Sequence, residues 1–146
     1  MKTLYKIEPI ALALFFIAVF FLFAGCGTTS VGKLGTPSGR PEVTIANNNI
    51  QTVMDGVASW LASQGKPIDA TGAYTISTSF TKKENMLGIS YNSGYTAVFT
   101  IVQNGADISI YEAQYNQRGN DELVTQSDYE EMQKELTQIS EFLKTK

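Results

Sequence analysis

Tyr95-Thr96-Ala97-Val98-Phe99-Thr100-Ile101-Val102-Gln103, then Asn104-Gly105-Ala106, then Asp107-Ile108-Ser109-Ile110-Tyr111-Glu112-Ala113-Gln114-Tyr115, is the stretch on which the fold turns. Tyr95, Ala97, Phe99 and Ile101 recur with period two, and Val98 and Val102 lie on the opposite parity. A strand with apolar groups on both faces belongs in the middle of a sheet. Asn104-Gly105 is a strong two-residue hairpin signal, so 107–115 returns antiparallel beside 95–103. The returning segment changes parity. Ile108 and Ile110 share one face, whereas Tyr111, Ala113 and Tyr115 fall on the other. Either a β-bulge near Tyr111 restores a single inward face, or the tyrosines cover the outer surface.

Upstream, the alternation extends through Ala73 to Phe80, with Tyr74, Ile76 and Phe80 on one face. The polar run 81–85 reads as a loop, 86–91 as a strand, and Asn92-Ser93-Gly94 as the turn into Tyr95. Glu42-Val43-Thr44-Ile45 reads as a further short strand. After an asparagine cap at 48 or 49, Ile50, Val53, Met54, Val57, Trp60 and Leu61 form one helical stripe, closed by Gly65 and Pro67. This predicts a helix over 49–64. Ser127-Asp128-Tyr129-Glu130 resembles a capping box, and Tyr129, Met132, Leu136, Ile139 and Leu143 step by three or four, predicting a second helix over 128–144. The class is therefore α+β: an antiparallel meander of four to five strands with two amphipathic helices on one face, all within a single domain at 42–146.

The amino terminus has a different character. Lys2 and Lys6 precede an uninterrupted apolar run from Ile10 to Ala24, followed by Gly25-Cys26-Gly27-Thr28-Thr29-Ser30. A charged start, an apolar middle and a small residue at the boundary make a secretory signal. Leu22-Phe23-Ala24-Gly25-Cys26 resembles the lipobox of bacterial lipoproteins. The resemblance implies a signal peptide at 1–25 cut between Gly25 and Cys26, a diacylglycerol on the Cys26 sulfur, and an acyl chain on its new amino group. It implies a membrane partner and a place in the cell envelope. Gly27 in the position after the cysteine favours the outer membrane, facing the periplasm, in a Gram-negative source. Two competing readings of the same residues are an uncleaved membrane helix, for which the run is short, and an ordinary secretory signal. Residues 26–41 carry four glycines and two prolines and read as a flexible tether, holding the domain roughly 20 Å from the bilayer.

Composition narrows the chemistry. The chain has 146 residues, one cysteine and no histidine. Ser-His-Asp and Cys-His nucleophile schemes and His-ligated zinc sites are thereby excluded. Without residues 1–25 the charge is about −4, with nine basic and thirteen acidic side chains, which argues against a nucleic-acid partner. The acidic clusters, Asp121-Glu122 and Asp128-Glu130-Glu131, read as loop charge and helix capping. No catalytic residue, metal ligand or cofactor is expected. Tyr91, Tyr95, Tyr111 and Tyr115 are candidate interface residues, because tyrosine is enriched where proteins meet. The expectation is a non-enzymatic envelope lipoprotein that binds or scaffolds another envelope protein. The alternatives are a carrier of lipid or another apolar ligand, an exclusion or immunity-type lipoprotein, and, last, a carboxylate-dependent cell-wall hydrolase.

Overall fold

Phe99, the centre of the decisive stretch, is fully buried in the middle strand of a five-stranded antiparallel sheet. The computed structural model describes residues 33–47, 49–117 and 125–145. The apolar run, Gly25, Cys26, Asn48 and Asp121-Glu122 lie outside the described residues.

The elements run β1 (Glu42–Ile45), α1 (Ile50–Ser63), β2 (Ile68–Thr71), β3 (Thr75–Met86), β4 (Ile89–Asn104), β5 (Asp107–Asn116) and α2 (Gln126–Lys144). The sheet order is β1-β5-β4-β3-β2, and every neighbouring pair is antiparallel. The chain thus starts at one edge, crosses under α1 to the other edge, and meanders back. Helix α1 packs against β2, β3 and β4, and α2 against β1, β5 and α1. The fold is α+β, with both helices covering one side of the sheet. Val53, Val57 and Leu61 of α1 and Leu136 and Ile139 of α2 meet Ile76, Phe99 and Ile110 in one core. Burying each such side chain contributes about 1.5–3 kcal/mol.

Asn49 caps α1, its side chain accepting from the Thr52 amide at 3.1 Å, and Gly65 at φ 69° closes the helix. The second helix starts two residues before the expected position. Its cap is Thr125, whose Oγ1 accepts from the Asp128 amide at 3.3 Å, and Ser127 lies inside the helix.

Four strand assignments change. The turn between β3 and β4 is Leu87-Gly88, with φ of 52° and 80°, and Asn92-Ser93-Gly94 lies within β4 opposite Thr81, Lys82 and Lys83. Residues 81–85 are therefore strand; their polarity reflects solvent around a two-stranded ribbon rather than a loop. Tyr74 precedes β3 and is exposed instead of facing inward beside Ile76. Strand β2, unforeseen, is a four-residue exposed edge with a register shift between Ile68 and Ala70. Finally, β4 and β5 keep one register from Asn104↔Asp107 to Tyr95↔Asn116, so no bulge occurs at Tyr111.

The end of the expected tether is drawn into the domain. The Leu34 amide donates to the Gly39 carbonyl at 3.0 Å, the Lys33 amide donates to Gln126 Oε1 at 2.9 Å, and Pro41 is buried. A flexible-coil description does not apply to residues 33–41.

Candidate functional site

An unbroken β5 has a chemical consequence. The inward parity of Ile108 and Ile110 continues to Glu112 and Gln114, which places a carboxyl and an amide on the helix-covered side. Glu112 is only 4% exposed. Gln114 Nε2 donates to Glu112 Oε1 at 2.7 Å. Glu112 Oε2, Gln114 Oε1 and the Tyr129 hydroxyl have no hydrogen-bond partner among the described residues. Burial pushes the Glu112 carboxyl up to about 8, reinforced by the nearby Glu135 carboxylate and opposed by the Gln114 bond and Lys66. Glu112 is therefore mostly neutral near pH 7, which removes the larger cost of burying a charge.

Around this buried group the charges are paired. Lys66 Nζ meets Glu135 Oε1 at 2.5 Å and lies 5.7 Å from the Trp60 ring centroid. Lys82 Nζ reaches Glu131 at 2.8 Å and Asp128 at 3.6 Å, and sits 5.7 Å above Phe80 and 5.8 Å above Tyr95. Phe80 and Tyr95 stack with centroids 5.7 Å apart. Lys82 thus lies between the Phe80–Tyr95 stack of the sheet and carboxylates of α2, tying that helix to β3 and β4, and Lys66 lies between the Trp60 ring of α1 and Glu135 of α2. Glu112, Glu135, Lys66 and Gln114 escaped the sequence reading. The signal that could have found Glu112 and Gln114 is the even-numbered parity Ile108, Ile110, Glu112, Gln114, which the bulge alternative obscured. These carboxylates come together inside a packed helix–sheet contact, with Glu135, Glu131 and Asp128 engaged by lysine, and not across an open cleft. Among the described residues, no group of three or more acidic or thiol side chains is arranged to hold a metal ion.

The four tyrosines do not form one strip. Tyr95 is 4% exposed and belongs to the aromatic stack, which removes it from any docking surface; this corrects the expectation. Register and parity put Tyr91 opposite Glu84 on the helix side of the β3–β4 ribbon. Tyr111 and Tyr115 are half-buried on the other face of the sheet, opposite Thr100 and Thr96, with Val98 and Ala113 between them. A shallow hollow of about 340 Å³ lies beside Tyr115, Thr96 and Gln117, whose Nε2 donates to Ser79 Oγ at 3.1 Å.

Two further depressions are present. A groove of about 840 Å³ opens where Ile45 and Val53 approach Leu143, with Asn47, Asp55 and Lys144 on its rim. Gly56 lines it because a Cβ there would collide with Leu143 Cδ2. A hollow of about 410 Å³ lies at Tyr74, Ile101 and Val102. Among the described residues, no helix is long and apolar enough to cross a membrane. Comparison with known proteins returns no matching family model and no significantly similar curated sequence.

Proposed function

We propose that the protein is a lipid-anchored binding or scaffolding module of the bacterial envelope, tethered through Cys26 and presenting the open face of its sheet to another envelope protein. The single observation that carries this reading is the one-sided cover of the sheet. Both helices lie on one face, and the other keeps Tyr111, Tyr115 and Val98 among rows of threonine and serine. Tyr111 and Tyr115 supply the aromatic contact that is enriched where proteins meet, and the threonine and serine hydroxyls around them can donate or accept hydrogen bonds at the rim. The anchor rests on the lipobox-like Leu22-Phe23-Ala24-Gly25-Cys26.

In-cell photocrosslinking tests the reading. A photoreactive phenylalanine at Tyr111 or Tyr115 should yield a discrete adduct with an envelope protein, whereas the same probe at Lys134, exposed on α2, should not. Equal, diffuse labelling from all three positions would remove the open face as the binding surface. Metabolic incorporation of a clickable fatty acid into wild type but not Cys26→Ala tests the anchor separately. An apolar-ligand carrier is the second reading, and the 840 Å³ groove is its site. It ranks lower because the charged side chains of Asp55 and Lys144 flank the groove, where an acyl chain would take a carboxylate and an ammonium out of water. The hydrolase reading ranks last, since Glu112 is sealed beneath α2.

A further inference from the structure

The β3–β4 hairpin outruns the sheet. Strand β5 pairs with β4 only as far as Tyr95, and β2 reaches β3 only as far as Thr78. From Thr81↔Gly94 to Met86↔Ile89, β3 and β4 pair only with each other among the described strands. This arm ends in the most exposed large apolar side chains among the described residues: Leu87 at 97%, Ile89 at 70% and Met86 at 61%. Met86 and Ile89 are directly paired and lie side by side on one face. Leu87 also occupies a left-handed position, φ 52°, that asparagine, aspartate or glycine would hold with less strain. A branched apolar side chain in an unfavourable conformation, with no packing against it among the described residues, is the pattern expected of an external contact.

The occupant follows from where the chain enters. The Lys33 amide is bound to Gln126 at the start of α2, and the same helix turn holds Lys82 at the base of the arm through Asp128 and Glu131. The tether therefore arrives at the end of the domain from which the arm projects. From Lys82 to Leu87 the arm advances roughly 17 Å, at about 3.4 Å per residue. The seven Cα-to-Cα steps from Cys26 to Lys33 can span up to about 24 Å. An anchor at Cys26 and the apolar tip can thus reach one plane together.

We propose that Met86, Leu87 and Ile89 form a second membrane contact, dipping into the headgroup–acyl boundary of the phospholipid bilayer that carries the Cys26 anchor. The inference rests on the lipoprotein reading above. Acyl chains at Cys26 suffice to retain the protein, so the tip does not hold it there; it fixes the tilt of the domain and so the direction in which the open sheet face looks. Lys82 is neutralised by Asp128 and Glu131, and Glu84 follows the exposed Lys83, so the contact is apolar rather than electrostatic. It will persist in zwitterionic lipid and in high salt.

The test uses full-length protein purified from membranes and reconstituted into phosphatidylcholine–phosphatidylethanolamine vesicles. An acylated Cys26 leaves no native thiol, so Leu87→Cys and, at the opposite end of the sheet, Asn104→Cys each take one polarity-sensitive fluorophore. Intrinsic Trp60 emission checks that both variants fold. The expected result is blue-shifted emission at position 87 with quenching by shallow nitroxide lipids at least threefold that at position 104, unchanged by 0.5 M salt. Equal, weak quenching at both positions in protein that floats with the vesicles overturns the tip contact and leaves the anchor standing. Crosslinking of position 87 to a polypeptide, without lipid quenching, overturns it in favour of a protein partner. Fluorophore labelling of wild-type Cys26, or failure to float, overturns the anchorage and the tip contact with it.

Discussion

Glu112 is an acid whose behaviour its neighbours in sequence do not announce. Its carboxyl titrates near 8 in the fold against about 4.5 when unfolded, so the native state holds a proton that the unfolded chain releases. Native protein binds more protons between these values, and stability therefore falls as pH rises from about 4.5 to about 8, levelling beyond. Glu112→Gln keeps an oxygen for the Gln114 amide and cannot ionise. It should be more stable than wild type at pH 8.5 by roughly 4 kcal/mol, with the difference nearly gone at pH 4.5. Urea denaturation at the two pH values measures this, and a difference that does not depend on pH would refute the assignment. What makes Glu112 special is that it stands across from Phe99 in the β4–β5 register and so faces the core. Period-two alternation shows which residues share its face; it does not show that the sheet continues without a bulge.

Among the elements, the β3–β4 turn sets a local cost against a distant use. Leu87→Asn relieves the left-handed strain and should raise stability by about 0.5–1 kcal/mol, seen as a higher urea midpoint with unchanged slope. The same variant should orient less well on vesicles. A loss of stability would show that Leu87 packs on its own domain. Helix ends are more ordinary. Asn49→Ala removes the acceptor for the Thr52 amide, and Thr125→Ala that for the Asp128 amide. Each should cost about 1 kcal/mol, measured by chemical denaturation. The helices themselves were legible because a 3.6-residue stripe needs no information from elsewhere in the chain. Ser127 and Thr125 are both acceptable caps by composition, and the choice between them depends on where α2 docks. The turn was misplaced for a related reason: Asn92-Ser93-Gly94 has better turn chemistry than Met86-Leu87-Gly88, but only the latter lets Phe80 pair with Tyr95 and Ile76 with Phe99.

At the scale of the molecule, one core serves both helices, and one cysteine in the chain rules out an intrachain disulfide to support it. Phe99→Ala should cost about 3–5 kcal/mol. Against a total of about 5–15 kcal/mol for a domain of this size, the loss should appear as a large fall in thermal midpoint. A shift below 1 kcal/mol would mean that Phe99 is not the keystone of α1, α2 and the sheet. The amino-acid order alone determined the two helices, the α+β class, the central place of β4 and the lipobox-like start, since each depends on residues a few positions apart. Tertiary structure decided that Tyr95 is core while Tyr111 and Tyr115 face outward, that Glu112 is sealed in, and that Lys33 meets the start of α2 near where Lys82 of β3 is held. The physical reason is that burial belongs to pairs of surfaces brought together over long separations, such as Glu42 with Gln133 or Lys66 with Glu135, and local periodicity carries no record of which surfaces will meet.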